Sequence, residues 1–174
     1  MTQQPDRAEL DYLFSVTYEE LRRLASTVRL GDPSATLNPT ALVNEAWLKL
    51  AGYPQVSNTS RLHFKRIAAR AMRQVLVEAA RRRNADKRGG GAASFVTFDE
   101  SQGAVVGREL LELDTALDEL ARVEPRQAMM VESRFFGGLE IAEIAELLEV
   151  SEATVLRDWR AAKAWLAHTL RPIR

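Results

Sequence analysis

Residues 139–166 read LEIAEIAELLEVSEATVLRDWRAAKAWL. Ile141, Ile144, Ala145 and Leu148 recur at steps of three and four, which predicts a short helix over about 140–148 with those side chains inward. Glu149 and Val150 then form a tight turn, and Ser151 stands where its hydroxyl can cap the free amides of a second helix. Val155, Trp159, Ala162 and Leu166 give that helix, about 152–169, its apolar stripe. Ala145 is small enough to let the two helices cross closely, and Val150 plugs the junction. This is the grammar of a helix-turn-helix. One residue departs from its usual chemistry: Glu149 stands where such turns often use glycine for a left-handed backbone.

The second helix carries the candidate DNA-reading side chains. Ser151, Glu152, Thr154, Arg157, Asp158, Arg160 and Lys163 avoid or border the apolar stripe. In a major groove arginine reads guanine and aspartate accepts from the cytosine amino group. Lys163, further along, suits a phosphate. An ordinary helical hairpin with a charged wet side is the plainer alternative.

Outward from this motif the chain reads as helix throughout, so the fold class expected is all-α, with two small helical domains joined by a flexible linker. Leu110, Leu111, Leu113, Leu117 and Leu120 build a helix over 108–121, and Pro125 opens another that Gly137-Gly138 closes. Near the start, Leu10, Leu13, Phe14, Leu21, Leu24, Ala25 and Val28 mark a helix over 7–29. Asn38-Pro39 begins one that runs to Ala51, with asparagine as the cap and proline in the first turn. The clearest period lies over 61–84, where Phe64, Ile67, Ala68, Ala71, Met72, Val75, Leu76 and Ala79 form one stripe. Lys65, Arg66, Arg70, Arg73 and Arg81 lie mostly off it, so this helix is expected to face a core on one side and offer cations on the other. Three glycines, Gly89 to Gly91, end the helical signal. The division is therefore 1–91, a linker over 92–107, and 108–174.

The zero net charge of the 174 residues hides a segregation. Residues 61–91 hold ten Lys/Arg against two Asp/Glu, whereas 92–174 hold nine against fifteen. A local block of this kind points to an anionic partner. The chain has no cysteine, which excludes disulfides, thiolate metal sites and cysteine nucleophiles. His63 and His168 show no metal-ligand spacing and belong to no acid–base set, so no enzyme activity and no cofactor are expected. No apolar run approaches the ~20 residues of a membrane span, and MTQQPDRAEL lacks a signal-peptide core. A cytoplasmic protein without membrane insertion is the expectation.

With these pieces in order, the chain resembles an extracytoplasmic-function (ECF) sigma factor of bacterial RNA polymerase. The helix-turn-helix is similar to the sigma domain that reads the minus-thirty-five element. Residues 41–50 (ALVNEAWLKL) and the basic helix ending Ala80-Arg81-Arg82-Arg83 resemble the domain that binds core polymerase and melts the minus-ten element. The resemblance implies two partners, promoter DNA and core RNA polymerase through the clamp helices of its β′ subunit. It further implies minus-ten contacts from Lys65, Arg66, Arg70, Arg73, Arg81, Arg82 and Arg83, with Tyr53 and Asn58 in a specificity loop over 53–60. Asn38, Thr40, Asn44, Glu45 and Lys49 would meet polymerase. One feature departs from the family: the acidic cluster expected at the start of the second helix is replaced by Asn38-Pro39-Thr40-Ala41. This pattern resembles subgroups associated with Ser/Thr kinases in place of anti-sigma factors, and phosphorylation of Thr40, or of Thr36 or Ser34, would supply the missing charge. Against this stand a Thr40 that merely starts the helix and an anti-sigma factor as the regulator. The alternative is a stand-alone helix-turn-helix regulator that never joins polymerase.

Overall fold

The computed structural model describes residues 7–29, 38–51, 60–86 and 108–170. Among them are seven helices and no strand: α1 (Arg7–Arg29), α2 (Pro39–Ala51), α3 (Arg61–Asp86), α4 (Arg108–Val123), α5 (Pro125–Gly137), α6 (Ile141–Leu148) and α7 (Glu152–Thr169). The all-α expectation holds, and the helix limits agree with the sequence periods to within two residues. Ser34, Thr36, the linker over 92–107, Gly89–Gly91 and the loop carrying Tyr53 and Asn58 lie outside the described residues.

Local chemistry starts and stops these helices as anticipated. Asn38 Oδ1 accepts the Ala41 amide at 2.7 Å, with Pro39 in the first turn of α2. Ser60, expected from the sequence only as a loop residue, caps α3, its Oγ accepting the His63 amide at 3.3 Å. Gly138, at φ 64°, ends α5 by donating its N–H to the Arg134 carbonyl, while the Leu139 amide reaches back to Ser133 O.

The core has two parts that meet on α3. Leu13, Leu21 and Ala25 of α1 and Leu42, Val43, Ala46 and Leu50 of α2 pack on Phe64, Ala68, Ala71, Met72 and Val75 of α3. The second part is built by α4 to α7 around Leu113, Leu117, Met130, Phe136, Ile144, Val155 and Leu166, and it also takes in Ala69, Val77 and Ala80 of α3. Among the described residues α3 thus contributes to both parts of the core. Lys65, Ala69, Arg73, Leu76 and Ala80 recur at helical spacing, so α3 has a second inward stripe in which cations alternate with alanines. Small side chains bring α3 and α5 very close. A Cβ on Gly137 would stand 2.9 Å from the Ala69 Cβ and 3.3 Å from the Lys65 carbonyl oxygen.

Candidate nucleic-acid interface

Glu149 adopts φ 53° and ψ 43°, the left-handed conformation for which the motif usually employs glycine. It is the one non-glycine residue with positive φ among the described residues. The turn is held by its own amides: Val150 N–H donates to Ala145 O at 3.0 Å and Glu149 N–H to Glu146 O at 3.2 Å. Ser151 then caps α7, its Oγ accepting the Thr154 amide at 3.2 Å and lying 2.9 Å from Thr154 Oγ1. Val155, Trp159, Ala162 and Leu166 are buried and fix the rotation of α7 on α5 and α6. Arg134 stacks over the Trp159 ring at 5.3 Å from its centroid.

That rotation presents Glu152, Ala153, Leu156, Arg157 and Arg160 as the exposed row of α7, preceded by Ser151, with Thr154 and Lys163 half-buried beside it. Asp158 does not belong to the row, which corrects the sequence expectation. It is only 7% exposed, and its Oδ2 accepts from Arg126 Nη2 at 2.6 Å, tying α7 to the start of α5. Two residues of the row were missed by sequence reasoning, Ala153 and Leu156. Leu156 is 41% exposed and sits four residues from both Glu152 and Arg160, and that spacing was the available signal. An apolar side chain between Glu152 and Arg160 on such a surface has the chemistry to meet the methyl group of thymine.

The basic helix departs further from expectation. Lys65 is buried, with 5% of its side chain exposed, and its Nζ lies 2.9 Å from Glu143 Oε1 of α6. Arg73, with 12% of its side chain exposed, sends Nε to Asp114 Oδ1 (2.8 Å) and Nη1 to Glu132 Oε2 (2.7 Å). Its Nη2 reaches Asp118 Oδ1 (2.8 Å) and the Asp114 carbonyl (2.9 Å). These two cations end on carboxylates of α4, α5 and α6. The reason is the second stripe of α3: both positions lie inward, where an unpaired charge is too costly to bury. Burial by itself would lower the Arg73 pKa, but the hydrogen bond to Glu132 and the fields of Asp114 and Glu132 outweigh it and raise the value. Glu143 behaves similarly. Partial burial favours its neutral form, yet the Glu140 amide, which it accepts at 2.8 Å, and the Lys65 ammonium together hold its pKa below the ordinary carboxylate value.

The outer side of α3 keeps a cationic edge of exposed Arg70, Arg81 and Arg82 and half-buried Arg66. Arg81 is also drawn toward Asp114, at 3.6 Å. Arg83 lies on the same helix. On α2, Thr40 and Asn44 are exposed and Glu45 half-buried, and the first turn holds no acidic side chain. Lys49 is not turned wholly to solvent, because its Nζ lies 2.9 Å from Glu78 of α3. Among the described residues no group of three or more His, Asp or Glu could hold a metal ion, and no helix is long and apolar enough to cross a membrane.

Comparison with known proteins identifies one family. The family model described as ECF sigma factor matches residues 1–172. No curated protein and no solved structure matches the chain.

Proposed function

The chain belongs to the ECF sigma factor family, and from that premise we propose a two-surface reading of promoter DNA by its own side chains. Membership supports an alternative sigma factor that joins core RNA polymerase for transcription initiation. The finer assignment is ours. The exposed row of α7 enters the major groove of the minus-thirty-five element, with Arg157 and Arg160 on guanines and Leu156 on a thymine methyl. The edge of α3 formed by Arg66, Arg70, Arg81 and Arg82 follows the phosphates of the minus-ten element. The observation that carries this reading is the Ser151-capped helix behind a left-handed turn, with charged and apolar side chains presented outward.

Promoter-dependent transcription with purified bacterial core polymerase tests it, on templates enriched by selection from random DNA. Arg160→Ala should relax preference at one base pair by about 1–3 kcal/mol. Arg70→Ala should weaken binding evenly across sequences and reduce its salt dependence. Protein that binds DNA specifically but never stimulates core polymerase would favour the stand-alone regulator.

Phosphorylation of Thr40 is the second part of the proposal. The hydroxyl is exposed in the first turn of α2, after the Asn38 cap, where no carboxylate stands. A phosphate there adds about −1.5 to −2 charge. It sits at the helix end whose dipole favours an anion by roughly 0.3–1 kcal/mol. It would offer the β′ clamp helices the negative charge that the family ordinarily supplies with acidic residues. A Ser/Thr kinase is then the implied regulator, in place of an anti-sigma factor. Core polymerase should bind the Thr40-phosphorylated protein more tightly than the unmodified one. Equal binding would discard the switch and keep the sigma assignment.

A further inference from the structure

The cations that make α3 basic are not all available to a partner, and the two that are least exposed point the same way. Lys65 and Arg73 lie two helical turns apart on the second inward stripe, and both end on carboxylates of the other bundle. Arg73 spends Nε, Nη1 and Nη2 on Asp114, Asp118 and Glu132. A phosphate diester would need the same planar donors, so carboxylate and phosphate cannot both occupy them. A cleft of about 210 Å³ opens beside this hub, lined by Arg70, Arg73, Gln74, Arg81, Asp114 and Asp118. Water can therefore reach the ion pairs, although releasing α3 also uncovers the buried Ala69, Val77 and Ala80. On the α3 side the apolar part of the contact is Ala69, Leu76, Val77 and Ala80, mostly small side chains.

We propose that Arg73 is the centre of an intramolecular latch. The acidic face of α4 and α5, with Glu143 of α6, holds α3 in the free chain and must release it before the full basic face of α3 can take nucleic-acid phosphate. Arg73 and Lys65 then belong to the DNA surface of the open form only. The exposed row of α7 stays accessible in both forms, so the latch regulates the α3 surface and not base reading by the helix-turn-helix. The inference rests on the nucleic-acid role of α3 given above.

The absence of cysteine makes the test direct, since two introduced thiols carry spin labels without background. Labels at Ala51→Cys and Ala164→Cys, both exposed positions, report the separation of the two bundles in the full chain. The probe is a mixed-sequence single-stranded DNA oligonucleotide. Wild type should show one short distance that lengthens when DNA is added. The Asp114→Asn/Glu132→Gln variant should show the long distance without DNA. It should also bind the oligonucleotide at least about fivefold more tightly than Glu119→Gln/Glu124→Gln, which changes net charge equally at exposed positions. Fivefold corresponds to a competent form populated below about one fifth in the closed chain.

Gly137→Ala is the second route, and it decides the matter if the charge variant fails to fold. The added Cβ would crowd Ala69 and the Lys65 backbone, with the flexible Leu139 side chain able to yield, and should open the contact without altering charge. An unchanged distance on DNA binding, or opened variants that bind no more tightly than the matched control, would overturn the latch. Variants that lengthen the distance while no form binds DNA would overturn it through its premise, the nucleic-acid role of α3.

Discussion

Replacing Arg73 by alanine removes the guanidinium on which three carboxylates converge. Asp114 and Glu132 have 14% and 15% of their side chains exposed, so neither regains full hydration, although Asp114 keeps Arg81 at 3.6 Å. Breaking a buried pair from one side costs about 3–5 kcal/mol. The hub lies at the wall of a cleft, which places the expected loss near the lower limit, about 3 kcal/mol. The pair with Asp118 adds less than about 1 kcal/mol, because Asp118 is 62% exposed and screened by water. A chain of this size shifts its Tm by about 2–4 °C per kcal/mol, so thermal denaturation followed by circular dichroism should show a drop of about 6–12 °C. Arg73→Lys keeps one charge but only one good contact, and should lose roughly half as much. Arg73→Met combined with Asp114→Asn and Glu132→Gln should recover part of the loss, because the uncompensated charges go with their partner. A fall of less than about 2 °C for Arg73→Ala would refute the reasoning and mean that water, not the carboxylates, holds this arginine in solution.

Four further outcomes can be checked with the same equipment or with DNA titrations. Ser151→Ala should cost about 1 kcal/mol in urea denaturation by orphaning the Thr154 amide, while Ser151→Asp should retain most of it. Glu149→Gly should raise the Tm. Relief of a left-handed backbone is worth about 1–2 kcal/mol, against roughly 0.5–1 for glycine's greater freedom in the unfolded chain. Because the Glu143 pKa is depressed in the folded state, its contribution is fully present above about pH 4.3, the ordinary value for glutamate, and is lost as pH falls through the lowered value. Glu143→Gln should accordingly flatten the decline of the urea midpoint with pH below that point. Asp158→Asn should cost about 1 kcal/mol of stability by weakening the tie to Arg126 and leave base preference unchanged. A changed preference would return Asp158 to the reading surface.

The elements were legible because each carried its own punctuation. Asn38-Pro39, Pro125, Gly137-Gly138 and Ser151 start or stop helices through backbone chemistry that acts within one turn. The left-handed turn was legible as a need, though not as a solution, since Glu149 meets it without glycine. The candidate site was legible in part. Arg157 and Arg160 stand where their spacing put them, whereas Asp158 borders the stripe so closely that periodicity could not assign its side. Leu156 went unnoticed because an apolar residue off the stripe resembles scatter until the packing of Val155 and Trp159 sets the rotation of the helix.

The sequence by itself determined the all-helical class, the helix limits and the concentration of positive charge on α3, because propensity, capping and amphipathic period are local. Only the tertiary structure decided which of those charges are free. Ala69, Val77 and Ala80 are too small, and too interleaved with Lys65 and Arg73, to announce a second buried face. That face exists because α4, α5 and α6 bring Asp114, Glu132 and Glu143 to the two cations from 41, 59 and 78 residues away along the chain. A charge pattern gives the sign of what a helix attracts. Whether the attractor is DNA or the protein's own carboxylates depends on a long-range contact that no local period records.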